Sequence, residues 1–169
     1  CYRELNIGVA RPSPEQLAEV PHHFIASHSI HEERTAADFE AYALSKVEEI
    51  FTTHDVVVMT GGTGLYVKAF CEGLDNIPDI PTSIRTSIID KYEKEGINWL
   101  LQELREKDPS FANVGEMQNP QRMMRALEVF ESTGKSILEF RTGTKTARNF
   151  GIEKVGLELP RDVLNKRIN

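Results

Sequence analysis

Four consecutive apolar residues, Val56-Val57-Val58-Met59, three of them β-branched, run through Thr60 into Gly61-Gly62-Thr63-Gly64-Leu65-Tyr66. A short unbroken apolar run predicts a strand buried on both faces, as in a parallel sheet covered by helices. The glycines stand at its carboxyl end, where open α/β sheets place their ligand crevices. Upstream, Phe39, Ala43, Val47 and Ile50 recur at helical spacing behind Thr35 and Asp38, a capping-box pair. Ser13 and Gln16 with Pro14 between them mark a short helix ending near Pro21, and residues 22–26 read as a strand. A further helix runs from Leu65 to about Glu72 with Gly73 just past its end. Residues 1–75 thus read as alternating helix and strand, part of an α/β core.

The pattern then changes. Residues 76–81 carry two prolines and read as a linker. Helical patterns follow over 83–95, stopped by Gly96, over 98–107, stopped by Asp108-Pro109, and over 120–132, stopped by Gly134. Asn119 ahead of Pro120 is an N-cap and first-turn pair. No strand pattern interrupts residues 82–141, so 76–145 is expected to be an all-helical insertion. Residues 151–159 return to a β-like pattern and Pro160-Arg161-Asp162 opens a last helix, so 146–169 is expected to rejoin the core. The expected fold class is α/β: a parallel sheet core interrupted by a helical lobe.

Composition narrows the picture modestly. The 169 residues, 40% hydrophobic, suit one domain or two small lobes. Cys1 and Cys71 are too few for a disulfide framework or a zinc site, which favours a reducing, cytoplasmic setting. No apolar run approaches the ~20 residues of a membrane span. The net charge of −6 argues against a broad non-specific nucleic-acid surface. Yet from Gln121 to Arg148 the chain carries Arg122, Arg125, Lys135, Arg141, Lys145 and Arg148 against Glu128, Glu131 and Glu139, a locally basic stretch. The chain opens on a cysteine and closes in what reads as a helix cut mid-turn; it is expected to be part of a larger protein.

No G-x-x-x-x-G-K-S/T run occurs, so the glycine turn is not a Walker A phosphate cradle. His22-His23 and His28-x-x-His31 lack cysteine partners and an H-E-x-x-H frame, so no metal site is expected on them. In the helix from Pro120, Met123, Met124, Leu127 and Phe130 form the apolar stripe, which puts Gln121, Arg122 and Arg125 together on the other side. Two readings of that side remain open: a solvated face with an Arg125–Glu128 pair, or a fork of guanidinium groups suited to phosphates or base edges. Thr63 has little bulk around it and can offer its hydroxyl to a ligand in the crevice.

Residues 2–13, YRELNIGVARPS, together with Pro21-His22-His23-Phe24, Ala36-Ala37-Asp38-Phe39, Gly61-Gly62-Thr63-Gly64-Leu65-Tyr66 and Asn119-Pro120-Gln121-Arg122 with Arg125-Ala126-Leu127-Glu128, follow one another in a familiar order. They resemble, across essentially the whole chain, the tRNA dimethylallyltransferases (tRNA isopentenyl transferases), whose first such segment is usually written LxIGTAKPS. The resemblance implies a partial P-loop NTPase-like core with a helical insertion that grips the tRNA anticodon arm. It implies transfer of a dimethylallyl group from dimethylallyl diphosphate, with Mg²⁺, to N6 of the adenosine 3′-adjacent to the anticodon, by a cytoplasmic monomer with no membrane contact. It assigns Thr63 to the reaction channel and Arg85, Gln121, Arg122, Met123, Met124 and Arg125 to the tRNA. The family's Walker A-like loop and its general-base aspartate precede the position of Cys1, so this chain alone is expected to be inactive. Val9 and Arg11 stand where the family commonly has Thr and Lys, and Ala26 where it often has Asp. The alternatives are a non-catalytic RNA-binding module and a nucleotide kinase-like phosphotransferase; a lobe without a basic face would favour the latter.

Overall fold

Side-chain caps fix where most of the helices begin. The computed structural model describes residues 1–32 and 34–168. Among them the helices are α1 (Pro14–Glu19), α2 (Ala36–Ile50), α3 (Gly64–Glu72), α4 (Thr82–Lys107), α5 (Pro109–Val114), α6 (Pro120–Thr133), α7 (Ile137–Phe140) and α8 (Arg161–Ile168). The chain separates into two units, Cys1–Gly73 with Thr146–Asn169, and Leu74–Lys145.

In the first unit, Ser13 and Gln16 close a reciprocal capping box at α1, and Thr35 and Asp38 do the same at α2. Ala43 and Val47 of α2 meet Phe70 of α3, with Phe39, Leu44, Val57, Cys71 and Phe150 packed around them. Arg148 ties the two helices. Its Nε donates to the Phe70 carbonyl at 2.8 Å, and its Nη2 donates to the Ala69 carbonyl at 2.8 Å and to Glu40 at 2.6 Å. It therefore serves the end of α3, bonding the Phe70 carbonyl and sharing the Ala69 carbonyl with the Gly73 N–H, while pairing with α2. At Gly73, with φ 78°, a Cβ would run into the Thr146 side chain, so glycine is needed for both conformation and room.

The expected parallel sheet core is not present among the described residues. Backbone pairing there is a lone parallel bridge between Tyr2 and His28, and residues 22–26, 56–60 and 151–159 form no strand. A strand holds only when its N–H and C=O groups meet those of a neighbour. The 56–60 segment has no such neighbour, so Val56 and Val58 are 75% and 82% exposed while Val57 alone packs on the α2–α3 cluster. In 22–26, Phe24 (φ 64°) and Ala26 (φ 47°) take left-handed backbone, which breaks an extended run. Val155 and Leu157 stand almost fully in solvent.

The second unit is all helix. Leu100 and Leu104 of α4, Phe111 of α5, Met123, Ala126, Leu127 and Val129 of α6, and Ile137 of α7 form its core. α4 is broken at Gly96 (φ 77°, ψ −168°), as the sequence pattern predicts. Asp108 caps α5, accepting from the Phe111 N–H at 2.9 Å, and Ser136 with Glu139 boxes the start of α7. α5 and α7 are absent from the sequence expectation.

Candidate functional site

Helix α6 organises the lobe's polar face. Asn119 accepts from the Arg122 N–H at 3.2 Å and Pro120 fills the first turn, so the helix starts where the sequence says. From that start the helical period sends Met123, Ala126, Leu127 and Val129 inward and leaves Gln121 and Arg122 exposed and Arg125 half-buried. The first turn carries no acidic residue, so its N–H groups and positive dipole end stand unopposed by a carboxylate on the helix itself.

Met123 and Met124 are buried in the core. At these two positions of the run expected on the tRNA the helix period faces the lobe interior, and the thioethers fill it.

The charges on this face are organised around one carboxylate. Glu128 is buried, 5% exposed, one turn along from Arg125. Its Oε2 lies 3.1 Å from Arg125 Nη1, and its Oε1 lies 3.6 Å from Arg85 Nε on α4. Arg122 pairs separately with the exposed Glu116. The Arg125–Glu128 pair expected of a solvated face therefore exists, but its acid is inside the lobe and shared with a second arginine. Arg148, read from the sequence as part of the same basic stretch, belongs to the other unit and is spent on α2 and α3.

In the first unit, Thr63 is the N-cap residue of α3 but makes no capping bond through its side chain. Its carbonyl accepts from Tyr66 N at 2.9 Å and Val67 N at 3.1 Å, and the side chain stands exposed. A hydroxyl at a helix N-terminus that is not used as a cap is available to a ligand. Around the same turn an aromatic cluster had no counterpart in the sequence reading. The Phe24 ring centroid lies 4.9 Å from His28, 5.0 Å from Phe39, 5.2 Å from Tyr42 and 6.3 Å from Tyr66. Phe39 and Tyr66 stack at 4.6 Å. Burial among these rings pushes the Tyr66 phenol above its ordinary range. Phe24, Phe39 and Tyr66 are the last residues of three of the sequence motifs, so packing gathers motifs that lie far apart along the chain.

The family profile described as IPP transferase matches residues 1–169. The chain belongs to the IPP transferase family. It is 41% identical over 168 residues to tRNA dimethylallyltransferase 1 of Phocaeicola vulgatus, which covers 99% of this chain and 56% of that protein. It is 42% identical over 168 residues to tRNA dimethylallyltransferase 1 of Bacteroides thetaiotaomicron, covering 99% and 54%. Among solved structures, the full-length tRNA isopentenylpyrophosphate transferase of Bacillus halodurans is 32% identical, covering 80% of this chain and 45% of that one, with a TM-score of 0.42. This IPP transferase chain spans about half the length of the curated relatives it matches.

Among the described residues no three His, Cys, Asp or Glu side chains converge to hold a metal ion. His22 Nδ1 lies 2.8 Å from the Val20 carbonyl and His28 Nδ1 lies 2.7 Å from the Ser27 hydroxyl. No helix among the described residues is long and apolar enough to cross a membrane.

Proposed function

We propose that this chain forms part of a tRNA dimethylallyltransferase of the cytoplasm. The protein that carries it moves a dimethylallyl group from dimethylallyl diphosphate to N6 of the adenosine 3′-adjacent to the anticodon. The observation that carries the reading is the family match over residues 1–169, supported by relatives about two-fifths identical along nearly the whole chain. Nothing in those relatives favours a stand-alone RNA-binding module or a nucleotide kinase-like phosphotransferase.

In the proposed reaction the N6 lone pair forms a bond to the allylic carbon while the carbon–oxygen bond to the diphosphate breaks. The diphosphate leaves with the bonding pair, and the N6 proton passes to a carboxylate. That carboxylate is proposed to be the general-base aspartate that the family resemblance implies. The adenine must leave its stack so that N6 meets the allylic carbon. Thr63, with a hydroxyl uncommitted at the first turn of α3, is proposed to hydrogen-bond at this centre. The Phe24–Phe39–Tyr66 cluster holds the turn that presents it. In the proposed enzyme Mg²⁺ would accompany the diphosphate and neutralise charge on the departing group.

Arg85, Gln121, Arg122 and Arg125 are proposed to meet the tRNA anticodon arm, with Met123 and Met124 supporting α6 from inside. Such contacts are chiefly to phosphate, which sets register and makes affinity depend on salt. The test is binding of the whole protein to a synthetic anticodon stem-loop with an unmodified adenosine. Affinity that falls linearly on a log–log salt plot is expected, and no measurable binding at low salt would overturn the reading.

A further inference from the structure

Among the described residues the buried carboxylates are Asp108 and Glu128. Asp108 has a local task, capping α5. Glu128 lies inside α6 and caps nothing. Burying a carboxylate costs solvation that its ion pairs only partly return, and an apolar side chain of similar volume would serve the core as well or better. Lobe stability therefore does not account for an acid at this position.

What Glu128 does touch is two arginines from different helices. Arg85 of α4 meets one carboxylate oxygen through Nε, and Arg125 of α6 meets the other through Nη1. The arginine side chains are 47% and 36% exposed. A guanidinium carries five N–H donors, so each keeps donors beyond those facing Glu128. Two guanidiniums this close repel one another, and a charge of opposite sign between them removes the penalty. The group as a whole remains net positive and opens on solvent.

We infer that Glu128 is a positioning residue for RNA: it sets Arg85 and Arg125 side by side, across the span of one carboxylate, so that their outer N–H groups engage neighbouring oxygens of the tRNA backbone. The inference rests on the proposal that this face of the lobe meets the anticodon arm. It makes recognition depend on the separation of two cations as well as on their number. A folded stem-loop holds its phosphates at fixed spacing and rewards a fixed pair. An unstructured RNA adapts to either a fixed or a loose pair, so it is insensitive to Glu128.

Glu128→Gln separates this from bulk electrostatics because it adds one unit of positive charge while keeping the side chain's shape. Affinities of the protein and the variant are measured for an anticodon stem-loop and for an unstructured oligouridylate of equal length, at matched fraction folded by circular dichroism. The expected result is roughly tenfold weaker binding of the stem-loop, the scale of one lost charge-assisted contact, with oligouridylate binding unchanged or tighter. Equal or tighter binding of both RNAs would overturn the inference and leave Glu128 as a charge that merely opposes RNA. On an Arg85→Ala, Arg125→Ala background, Glu128→Gln is expected to add no further loss; an additional loss would also overturn it. Should Glu128→Gln fail to fold, Glu128→Asp keeps the charge and shortens the reach. It should then reduce the preference for the stem-loop, and an unchanged preference would count against the inference. If the double arginine variant itself binds both RNAs as the parent does, the face is not an RNA surface and the underlying reading fails first.

Discussion

The Phe39 ring of α2 stacks on the Tyr66 ring of α3 at 4.6 Å and 16°. Tyr66 is bonded through its N–H to the Thr63 carbonyl, so the stack fixes the glycine turn against α2. Phe24 meets Phe39 edge-on at 5.0 Å from a backbone with φ 64°, a conformation an aromatic residue seldom takes. Backbone strain held by packing is common where a fold serves a site, and here it borders the turn that carries Thr63.

Phe39→Ala is expected to lower stability by roughly 2 kcal/mol, combining lost burial with a lost aromatic pair. Denaturant unfolding monitored by circular dichroism measures it. A change below about 0.5 kcal/mol would mean that the cluster does not hold α2 and α3 together.

The Asp38 carboxyl sits below its ordinary range because the Thr35 N–H and hydroxyl both donate to it, each at 2.8 Å. A carboxyl whose pKa is depressed on folding adds stability that is complete above its unfolded value and is lost as pH falls through the folded one. Asp38→Asn should therefore cost about 1 kcal/mol or less near neutral pH, the scale of a helix cap, and nothing once pH is well below about 4. Urea midpoints across pH 2–7 test this; a cost that persists unchanged in acid would refute it.

The helix ends were legible in the sequence because their causes are local. Ser13 and Gln16, Thr35 and Asp38, Asn119 and Pro120, Gly73 and Gly134 all act within a turn of their own position. α5 and α7 were missed although Asp108-Pro109 and the Ser136–Glu139 box mark them, because each spans too few residues to show a period. The apolar run at 56–59 signals burial, not a pairing partner, and burial alone does not make a strand. The site divides in the same way. Exposure of Gln121 and Arg122 follows from helical phase, whereas the convergence of Arg85 and Arg125 on Glu128 depends on how α4 packs against α6. Arg148 looks like Arg141 in sequence and differs only in having Glu40, Ala69 and Phe70 within reach.

Arg122 is 61% exposed and, among the described residues, pairs with the exposed Glu116, a pair of little worth to stability. Arg122→Ala should leave stability within about 0.5 kcal/mol and lower the magnitude of the log–log salt slope for stem-loop binding by roughly one. An unaltered slope would return Arg122 to the solvated surface.

Thr63→Ala removes a hydroxyl that caps nothing, so stability should change by under about 0.5 kcal/mol. Turnover in the whole enzyme should fall by tenfold or more, since a hydrogen bond in a preorganised, dry site is worth over about 1 kcal/mol. Equal turnover at equal stability would leave the glycine turn as structure only.

Transfer of label to a single nitrogen tests the account most directly. The whole protein carrying this chain is incubated with Mg²⁺, radiolabelled dimethylallyl diphosphate and unmodified tRNA, and the tRNA is digested to nucleosides. The account predicts label in N6-dimethylallyladenosine from the position 3′ to the anticodon, and none when that adenosine is replaced by guanosine. No label above a protein-free control, or equal label with guanosine there, would contradict it.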